Sequence, residues 1–228
     1  MNSKQYSKRV FPIEESSFFR LLSEDEKREL IDSTNRILYR GGETIIKEGF
    51  AASHLLYLES GVVKLNVDKG EKRITFKIIS PGVFIGLMCS FVNKKLDFSA
   101  VAAVDSTLSL IDRAVVEKFI VENGQFALSM VESQSLMTNS VVHHLINLIH
   151  KNLAGTVATL LLDLSSAFES LSFTLPFSRG EIADSIGYSK ESVINLLSEF
   201  AREGLIEVSG RKLTIKDAPK LQRIANYG

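Results

Sequence analysis

Hydrophobic and polar residues alternate with a period of two through the first half of the chain. From Val63 to Asp68 every second residue is apolar, and the same alternation returns from Ile74 to Ile78. Successive side chains of a strand point to opposite faces, so this pattern indicates strands with one covered face. The intervening Asp68-Lys69-Gly70-Glu71 has the composition of a hairpin turn. Glycines recur near the other strand ends, which predicts an antiparallel roll or barrel with later strands at 82–87, 98–103 and 107–111.

After Asp112 the apolar spacing becomes helical. One helix is predicted from Arg113 to Val121, and a long one from about Gln125 to Asn152, roughly 40 Å at 1.5 Å per residue. A coiled-coil spacing of three and four runs along the long helix at Val131, Gln134, Thr138, Val141, Leu145 and Leu148. One flank of the helix can cover the roll. The remaining stripe predicts a dimer interface through Val131, Thr138, Val141, Leu145 and Leu148, unless one domain buries the whole stripe.

Two short amphipathic helices around a tight turn are predicted within Ser178 to Gly204. Ile182 and Ile186 lie four residues apart on the first helix, and Gly187 stands where the chain must reverse. Ser189 is a plausible N-cap of the second helix. Its apolar residues are Val193, Leu196, Leu197 and Phe200. Two short amphipathic helices separated by a glycine turn are the pattern of a helix-turn-helix.

The segments around this pair complete a winged domain. A helix from Leu153 to Leu171 and a short strand at 173–175 precede it, and two strands at 205–208 and 212–215 follow it. Ser209-Gly210-Arg211 joins these last strands as a basic tip, where Arg211 and Lys212 can meet phosphates. The predicted fold class is therefore α+β: an antiparallel β-roll of the double-stranded β-helix or jelly-roll type, a long dimerisation helix and a C-terminal winged helix-turn-helix.

The outer face of the second helix carries Lys190, Glu191, Ser192 and Asn195. Lysine can donate to guanine acceptors and glutamate can accept from cytosine N4, so this face suits a DNA major groove. The alternative is an ordinary helical hairpin with a solvated outer face.

Charge and composition limit the other functions. The 228 residues hold 27 basic and 27 acidic side chains, and residues 153–228 hold eight basic and nine acidic ones, which argues against a strong non-specific grip on nucleic acid. The segment from Ser209 to Arg223, however, contains five basic residues and one acidic residue, Asp217. One cysteine, Cys89, excludes an internal disulfide and indicates a reduced, cytoplasmic setting. No apolar run is long enough to span a membrane.

These features together resemble the Crp/Fnr family of bacterial transcription regulators. The resemblance covers about Phe19 to Ile215 and rests on GGETIIKEG (41–49), LLYLESGVVKL (55–65), PGVFIG (81–86) and SRGEIADSIGYSKESVINLLSEFAREGLI (178–206). It implies a roll that binds an effector, a helix that pairs two subunits, and reading helices in adjacent major grooves. The implied partners are double-stranded DNA, a second copy of the chain, RNA polymerase and a small-molecule effector. The implied segments are a tail (1–18), an effector roll (19–122), a dimerisation helix (123–152) and a DNA-binding domain (153–228).

The family's DNA face is similar here but not identical. Its reading helix presents Arg-Glu-Thr/Ser and then an arginine, where this chain has Lys190-Glu191-Ser192 and then Asn195. Asparagine suits adenine rather than guanine, so the resemblance implies an altered half-site. Arg179 and Ser189 match positions that contact the DNA backbone.

The sequence motifs around the family's effector site are present here, but the charged residues that bind the ligand are not. In members that bind cyclic nucleotides, Phe-Ile-Gly-Glu supplies a carboxylate to the ribose and an arginine before Ser-Ala holds the phosphate. Here Leu87 and Phe98 stand at those places. Because losing one partner of a buried charge pair costs about 2–5 kcal/mol, cyclic AMP is not the expected ligand. The expected pocket either takes an apolar effector or is packed shut. It comprises Ile85, Gly86, Leu87, Met88, Cys89, Phe98, Ser99, Val141 and Val142.

Other chemistry finds little support. His143 and His144 are adjacent and face different sides of a helix, and nothing in the sequence has the spacing of a metal site, a phosphate loop or a nucleophile elbow. We therefore expect no enzyme activity, no metal and no resident cofactor. The alternatives to an effector-controlled DNA-binding regulator are a module that acts through protein contacts and a DNA binder that needs no effector.

Overall fold

The N-terminal half forms two antiparallel sheets. The computed structural model describes residues 10–51, 53–70, 72–92 and 96–228. Two 3-10 turns, Ile13–Glu15 and Phe19–Leu21, and helix α1 (Glu24–Asp32) precede the strands. The sheets run in the orders β1-β8-β3-β6 and β2-β7-β4-β5. The strands are β1 (Thr34–Tyr39), β2 (Thr44–Ile46), β3 (His54–Ser60), β4 (Val63–Lys69), β5 (Lys72–Ile79), β6 (Val83–Ile85), β7 (Ser99–Ala102) and β8 (Ser106–Asp112).

Strand β3 is buried on both faces. Leu56 and Leu58 belong to a cluster between the two sheets, while Leu55 and Tyr57 belong to a cluster between the first sheet and the helices that cover it. A strand covered on both sides needs apolar residues at every position, which explains the unbroken run Leu-Leu-Tyr-Leu. The roll therefore has two cores rather than one.

The predicted strand at 82–87 is shorter in the structure. It ends at Ile85 because Gly86 takes a left-handed conformation with φ 75°, and helix α2 (Leu87–Val92) starts directly after it. A side chain at Gly86 would also come within 2.7 Å of Leu96. This turn lets the backbone leave the sheet, so Leu87 starts a helix rather than extending β6.

Helices α3 (Arg113–Glu122) and α4 (Gly124–His150) follow the roll. Phe126 and Met130 bury the first turns of α4 in the cluster under the first sheet. Helix α5 (Leu153–Ala167) begins where the Asn152 side chain accepts a hydrogen bond from the Gly155 N–H at 2.9 Å. It ends four residues before the predicted Leu171. None of the described helices is long and apolar enough to cross a membrane.

The C-terminal part consists of helix α5, three further helices and a wing. It contains α6 (Arg179–Ile186), α7 (Lys190–Arg202) and a sheet of order β10-β11-β9, formed by Ile206–Ser209, Lys212–Ile215 and Ser172–Thr174. Helix α8 (Ala218–Tyr227) packs on α5 through Leu221 and Ala225. Asp217 caps α8 ahead of Pro219, and these two residues are a start signal in the sequence for a helix that was not predicted. The predicted fold class is confirmed.

The hairpin β4–β5 of the roll touches α6 of the winged unit. Lys64 is nearly buried, and its Nζ lies 3.1 Å from Glu181 Oε1 and 3.2 Å from the Pro176 carbonyl oxygen. The same ammonium lies 5.0 Å from the centre of the Phe177 ring. On β5 the Thr75 N–H donates to Ser185 Oγ at 3.2 Å. Both strands of one hairpin therefore hold the first helix of the helix-turn-helix.

Candidate nucleic-acid interface and cavity

Local capping sets the geometry of the helix-turn-helix. Ser178 Oγ accepts the Glu181 N–H at 3.1 Å, while Glu181 Oε2 accepts the Ser178 N–H at 2.7 Å. Gly187 ends α6 with φ 74°, and Ser189 Oγ accepts the Ser192 N–H at 3.1 Å to start α7. A capping box, a left-handed glycine and a serine cap thus satisfy the helix ends around the turn.

Helix α7 divides into a buried and an exposed face. Val193, Leu196, Leu197 and Phe200 lie in the winged core. The exposed residues in its first turns are Lys190, Glu191, Ile194, Asn195 and Ser198. This face offers a cation, a carboxylate and an amide in consecutive turns, the groups that read base edges in a major groove.

Two residues of α7 differ from the sequence expectation. Ser192 is half-buried, and its Oγ lies 2.9 Å from Ser189 Oγ, so its hydroxyl completes the cap instead of projecting from the outer face. Ile194, which was not predicted as part of the site, is 40% exposed among the polar residues. The sequence could have revealed it, because Ile194 is apolar but does not fall on the face formed by Val193, Leu196, Leu197 and Phe200.

The wing and the start of α6 place positive charges together. Arg179 is half-buried, and burial together with the nearby positive charge of Arg211 lowers its pKa. The Arg211 Nε and Nη2 groups donate to the Leu175 carbonyl oxygen at 3.2 and 3.0 Å, which anchors this guanidinium at the wing. Lys212 beside it is exposed. Two neighbouring guanidinium groups gain from an anion placed between them, and a DNA phosphate supplies one.

A cavity of about 360 Å³ lies between the roll and α4. Seven of the nine expected pocket residues line it: Ile85, Gly86, Leu87, Cys89, Phe98, Val141 and Val142. Ser99 does not, because it is buried in β7 with its Oγ accepting the Glu48 N–H at 3.1 Å. The Met88 side chain lies outside the described ones. The structure adds Leu65, Phe76, Phe84, Asp97, Gln134, Met137 and Thr138 to the lining.

The lining of this cavity is mostly apolar. Among the described residues that line it, Asp97 carries the one ionisable carboxyl, and no lysine or arginine is present. Leu87 and Phe98 are both buried. A phosphate held by the described lining residues would lose water without gaining a cation from them, which costs free energy. The residues therefore do not fit a cyclic nucleotide in the manner of a carboxylate and an arginine.

No cluster of three or more histidine, cysteine or acidic side chains suited to a metal occurs within the described parts of the chain. Cys89 faces the apolar cavity, and His143 is exposed on α4. The described positions of these residues therefore offer no set of ligands for a metal ion.

The free face of α4 differs from the predicted seam at two places, each shifted by one residue. Gln134 and Val141 line the cavity, whereas Val131 and Leu145 are 60% and 50% exposed. Val142 is 46% exposed, although it also borders the cavity. The exposed positions that keep the three and four spacing are Val131, Ser135, Thr138, Val142 and Leu145. The Leu148 side chain lies outside the described ones.

These features define a class of protein. A cavity-bearing β-roll is joined by a long helix to a winged helix-turn-helix whose outer face is mostly polar and exposed, which is the architecture of a DNA-binding regulator.

Comparison with known proteins assigns the family. A cyclic nucleotide-binding domain model matches residues 36–123, and a Crp-like helix-turn-helix domain model matches residues 156–224. The chain is 27% identical over 192 residues to a CRP-like cAMP-activated global transcriptional regulator of Mycobacterium tuberculosis, covering 81% of this chain and 85% of that protein. It is 26% identical over 208 residues to the transcriptional activator protein FnrA of Stutzerimonas stutzeri, covering 86% and 84%.

A solved structure shows the same fold. FixK2 from Bradyrhizobium japonicum superimposes with a TM-score of 0.73 at 23% identity, covering 84% of this chain and 96% of FixK2. The chain belongs to the Crp/Fnr family of transcription regulators, with a helix-turn-helix DNA-binding domain. Members of this family are regulators and not enzymes, so the expectation of no enzyme activity is confirmed.

Proposed function

We propose that this chain acts as a homodimeric, sequence-specific regulator of transcription, controlled by an effector other than cyclic AMP. In this proposal residues 19–122 sense the effector, 123–152 pair two subunits and 153–228 bind DNA, with 1–18 as a tail. DNA as the target and a single cysteine fit a cytoplasmic setting. Contact with RNA polymerase is part of the same proposal.

The observation that carries the DNA function is the exposed face of α7 beside the Arg179 and Arg211 pair. Lys190 would donate to guanine, Glu191 would accept from cytosine N4, and Asn195 would form a bidentate pair with adenine. Arg179, Arg211 and Lys212, together with the Ser189–Ser192 cap at the α7 N-terminus, would hold the backbone phosphates.

The exposed stripe on α4 supports the dimer. Val131, Val142 and Leu145 leave apolar side chains uncovered along this stripe, with Ser135 and Thr138 between them. A second copy would cover it about a two-fold axis, which would place the two α7 helices in half-sites about 34 Å apart. Val141, which the sequence predicts for both the pocket and the interface, would serve the cavity.

The cavity supports an apolar effector. Its volume of about 360 Å³ is close to the lower end of known ligand pockets. The Mycobacterium tuberculosis relative is described as activated by cAMP. In this chain Leu87 and Phe98 stand where cyclic-nucleotide-binding members of the family carry a carboxylate and an arginine. A small, largely hydrophobic molecule with a single polar group toward Gln134 or Asp97 would suit the lining.

Selection from a pool of random duplexes tests the DNA function. The native chain should enrich one inverted repeat at moderate salt. Glu191→Ala and Asn195→Ala should each relax one base position, by about 1–3 kcal/mol of discrimination. Lys212→Ala, the matched control, should weaken all duplexes alike and reduce the salt slope by about 1.

Failure to enrich any sequence would contradict the DNA function. Retention of a stoichiometric protein from the source cell instead would favour a module that acts through protein contacts, a reading that the near-neutral charge of residues 153–228 keeps open.

Native mass spectrometry and calorimetry test the effector. The native chain should carry or accept an apolar molecule and show no heat on titration with cyclic AMP. Micromolar binding of cyclic AMP would contradict the proposal. Specific DNA binding that is unchanged after every ligand is stripped would identify a regulator that needs no effector.

A further inference from the structure

Helix α7 exposes one large apolar side chain on a polar face. Ile194 is 40% exposed, and its neighbours at the surface are Lys190, Glu191, Asn195 and Ser198. The core of the winged unit takes Val193, Leu196, Leu197 and Phe200 instead. Ile194 is therefore an apolar residue that the fold leaves at the solvent boundary of the proposed reading helix.

We propose that Ile194 determines DNA specificity by packing on the 5-methyl group of a thymine. This inference rests on the proposed DNA-binding function. A base edge in the major groove presents hydrogen-bonding atoms, and the thymine methyl is the apolar group among them. A β-branched side chain has no donor or acceptor to offer, so its favourable partner in that groove is this methyl.

The position of Ile194 places it beside the other reading residues. Glu191 lies one turn earlier on the exposed side, and Asn195 is the next residue. Side chains three or four residues apart on a helix lie about 5–6 Å from one another, which is within two base-pair steps. Ile194 is three residues after Glu191, so the thymine lies within two base pairs of the cytosine that Glu191 reads.

The local contacts leave the Ile194 side chain available. Ser198 Oγ donates to the Ile194 carbonyl oxygen at 2.9 Å, so this hydroxyl serves the helix backbone. The Ser192 hydroxyl is held in the cap by Ser189. The hydroxyls of Ser192 and Ser198 are thus hydrogen-bonded within the helix. The side chains left to contact bases are those of Lys190, Glu191, Ile194 and Asn195.

The test removes one methyl group at a time. Once the preferred duplex has been selected with the native chain, each thymine of a half-site is replaced by deoxyuridine, which lacks only the 5-methyl group. We expect one thymine in each half-site where this change weakens native binding about 4-fold, the effect of exposing one methyl. Ile194→Ala should bind the thymine and deoxyuridine duplexes equally, and Ile194→Val should keep part of the difference.

The control is Val121→Ala, a residue of α3 that is 84% exposed and outside the winged unit. It should keep the native preference for thymine. Equal native binding to every deoxyuridine duplex, or full thymine preference in Ile194→Ala, would overturn the inference. Either result leaves the DNA function intact, because that function fails only if the selection returns no preferred sequence.

Discussion

Gly187 sets the angle between the two helices of the helix-turn-helix through one backbone conformation. Its φ of 74° lies in the left-handed region, and an added Cβ would meet no atom within 4 Å. The glycine is therefore needed for its conformation and not for space. This separates it from Gly61, where a Cβ would come within 2.2 Å of Ser106 Oγ.

Replacing Gly187 by alanine should cost about 1–2 kcal/mol of unfolding free energy, the strain of a left-handed L-residue. Gly124→Ala is the matched control, because Gly124 starts α4, also has open space and does not have a positive φ in the left-handed range. Urea denaturation of the two variants should show a loss for the first and none for the second. Equal effects would indicate that the turn does not require this conformation.

At the scale of elements, α4 serves two neighbours at once. Its start is buried by Phe126 and Met130, its middle lines the cavity through Gln134, Met137 and Val141, and its outer stripe is exposed. A helix with apolar residues on more than one face needs more than one covering partner. An effector in the cavity and a second subunit on the stripe would therefore act on the same helix.

Leu145→Glu should convert a native dimer to a monomer without unfolding it. The two-fold axis would place the new charge near its own copy, and the residue is 50% exposed in the single chain. Sedimentation velocity gives the mass, and circular dichroism gives the fold. Val121→Glu, at an exposed site on α3, is the control and should remain dimeric. A native chain that sediments as a monomer at micromolar concentration would refute the predicted pairing.

The hairpin β4–β5 is a second element with two working faces. Leu65 and Phe76 line the cavity, while their neighbours Lys64 and Thr75 contact the winged unit. The alternation that marks a strand in the sequence thus separates a ligand face from a face that holds α6. A shift of this hairpin would therefore change both the cavity lining and the contacts with α6.

At the scale of the whole molecule, Lys64 and Glu181 link the two halves. The Lys64 side chain is 11% exposed and that of Glu181 is 42% exposed. Because water reaches the lysine less, its charge relies more on the ion pair for stabilisation. Glu181→Gln removes the negative charge beside a nearly buried ammonium, which keeps only neutral partners: the amide oxygen, the Pro176 carbonyl and the Phe177 ring. It should destabilise the chain more than Lys64→Met, which leaves a carboxylate still in contact with water.

A double-mutant cycle measures this link. We expect a coupling free energy of about 1 kcal/mol between Lys64 and Glu181 in urea denaturation. The control pair, Lys220 and Glu203, has side chains 46% and 43% exposed and should couple by only a few tenths of a kcal/mol. Equal coupling in both pairs would show that burial of Lys64 adds nothing.

The same contact should depend on pH. Burial alone would raise the pKa of Glu181, but the Ser178 N–H and the Lys64 charge outweigh it and hold the pKa below its ordinary 4.5. A lowered pKa stabilises the fold above the ordinary value, and this contribution is lost as the pH falls through the lowered value. The stability difference between the native chain and Glu181→Gln should be constant near neutrality and shrink below about pH 4.5. Urea denaturation from pH 7 to pH 3 checks this; an unchanged difference at pH 3 would contradict it.

Local pattern predicted most of the fold. The period of two gave the β4–β5 hairpin, and serine caps with Gly187 gave both helices of the helix-turn-helix, because caps, turns and face alternation depend on residues close together in the chain. Helix α2 was missed since it depends on the turn at Gly86, whose tight surroundings come from Leu96. Helix α8 was missed although Asp217 and Pro219 mark its start locally, and only its packing on α5 depends on a distant part of the chain.

The sequence by itself determined the order of the elements, the exposed polar face of α7 and the loss of a carboxylate and an arginine at Leu87 and Phe98. The first two follow from residue type and short-range spacing, and the third follows from the resemblance to the family's motifs. Only the tertiary structure decided that Ser99 turns away from the cavity, that Gln134 and Val141 face it, that Ser192 joins the cap, and that Lys64 reaches Glu181. Each of these depends on which side of an element meets a neighbour distant in the chain. Moving the contacting face of a helix by one residue leaves its sequence pattern almost unchanged, so the pattern does not reveal the choice.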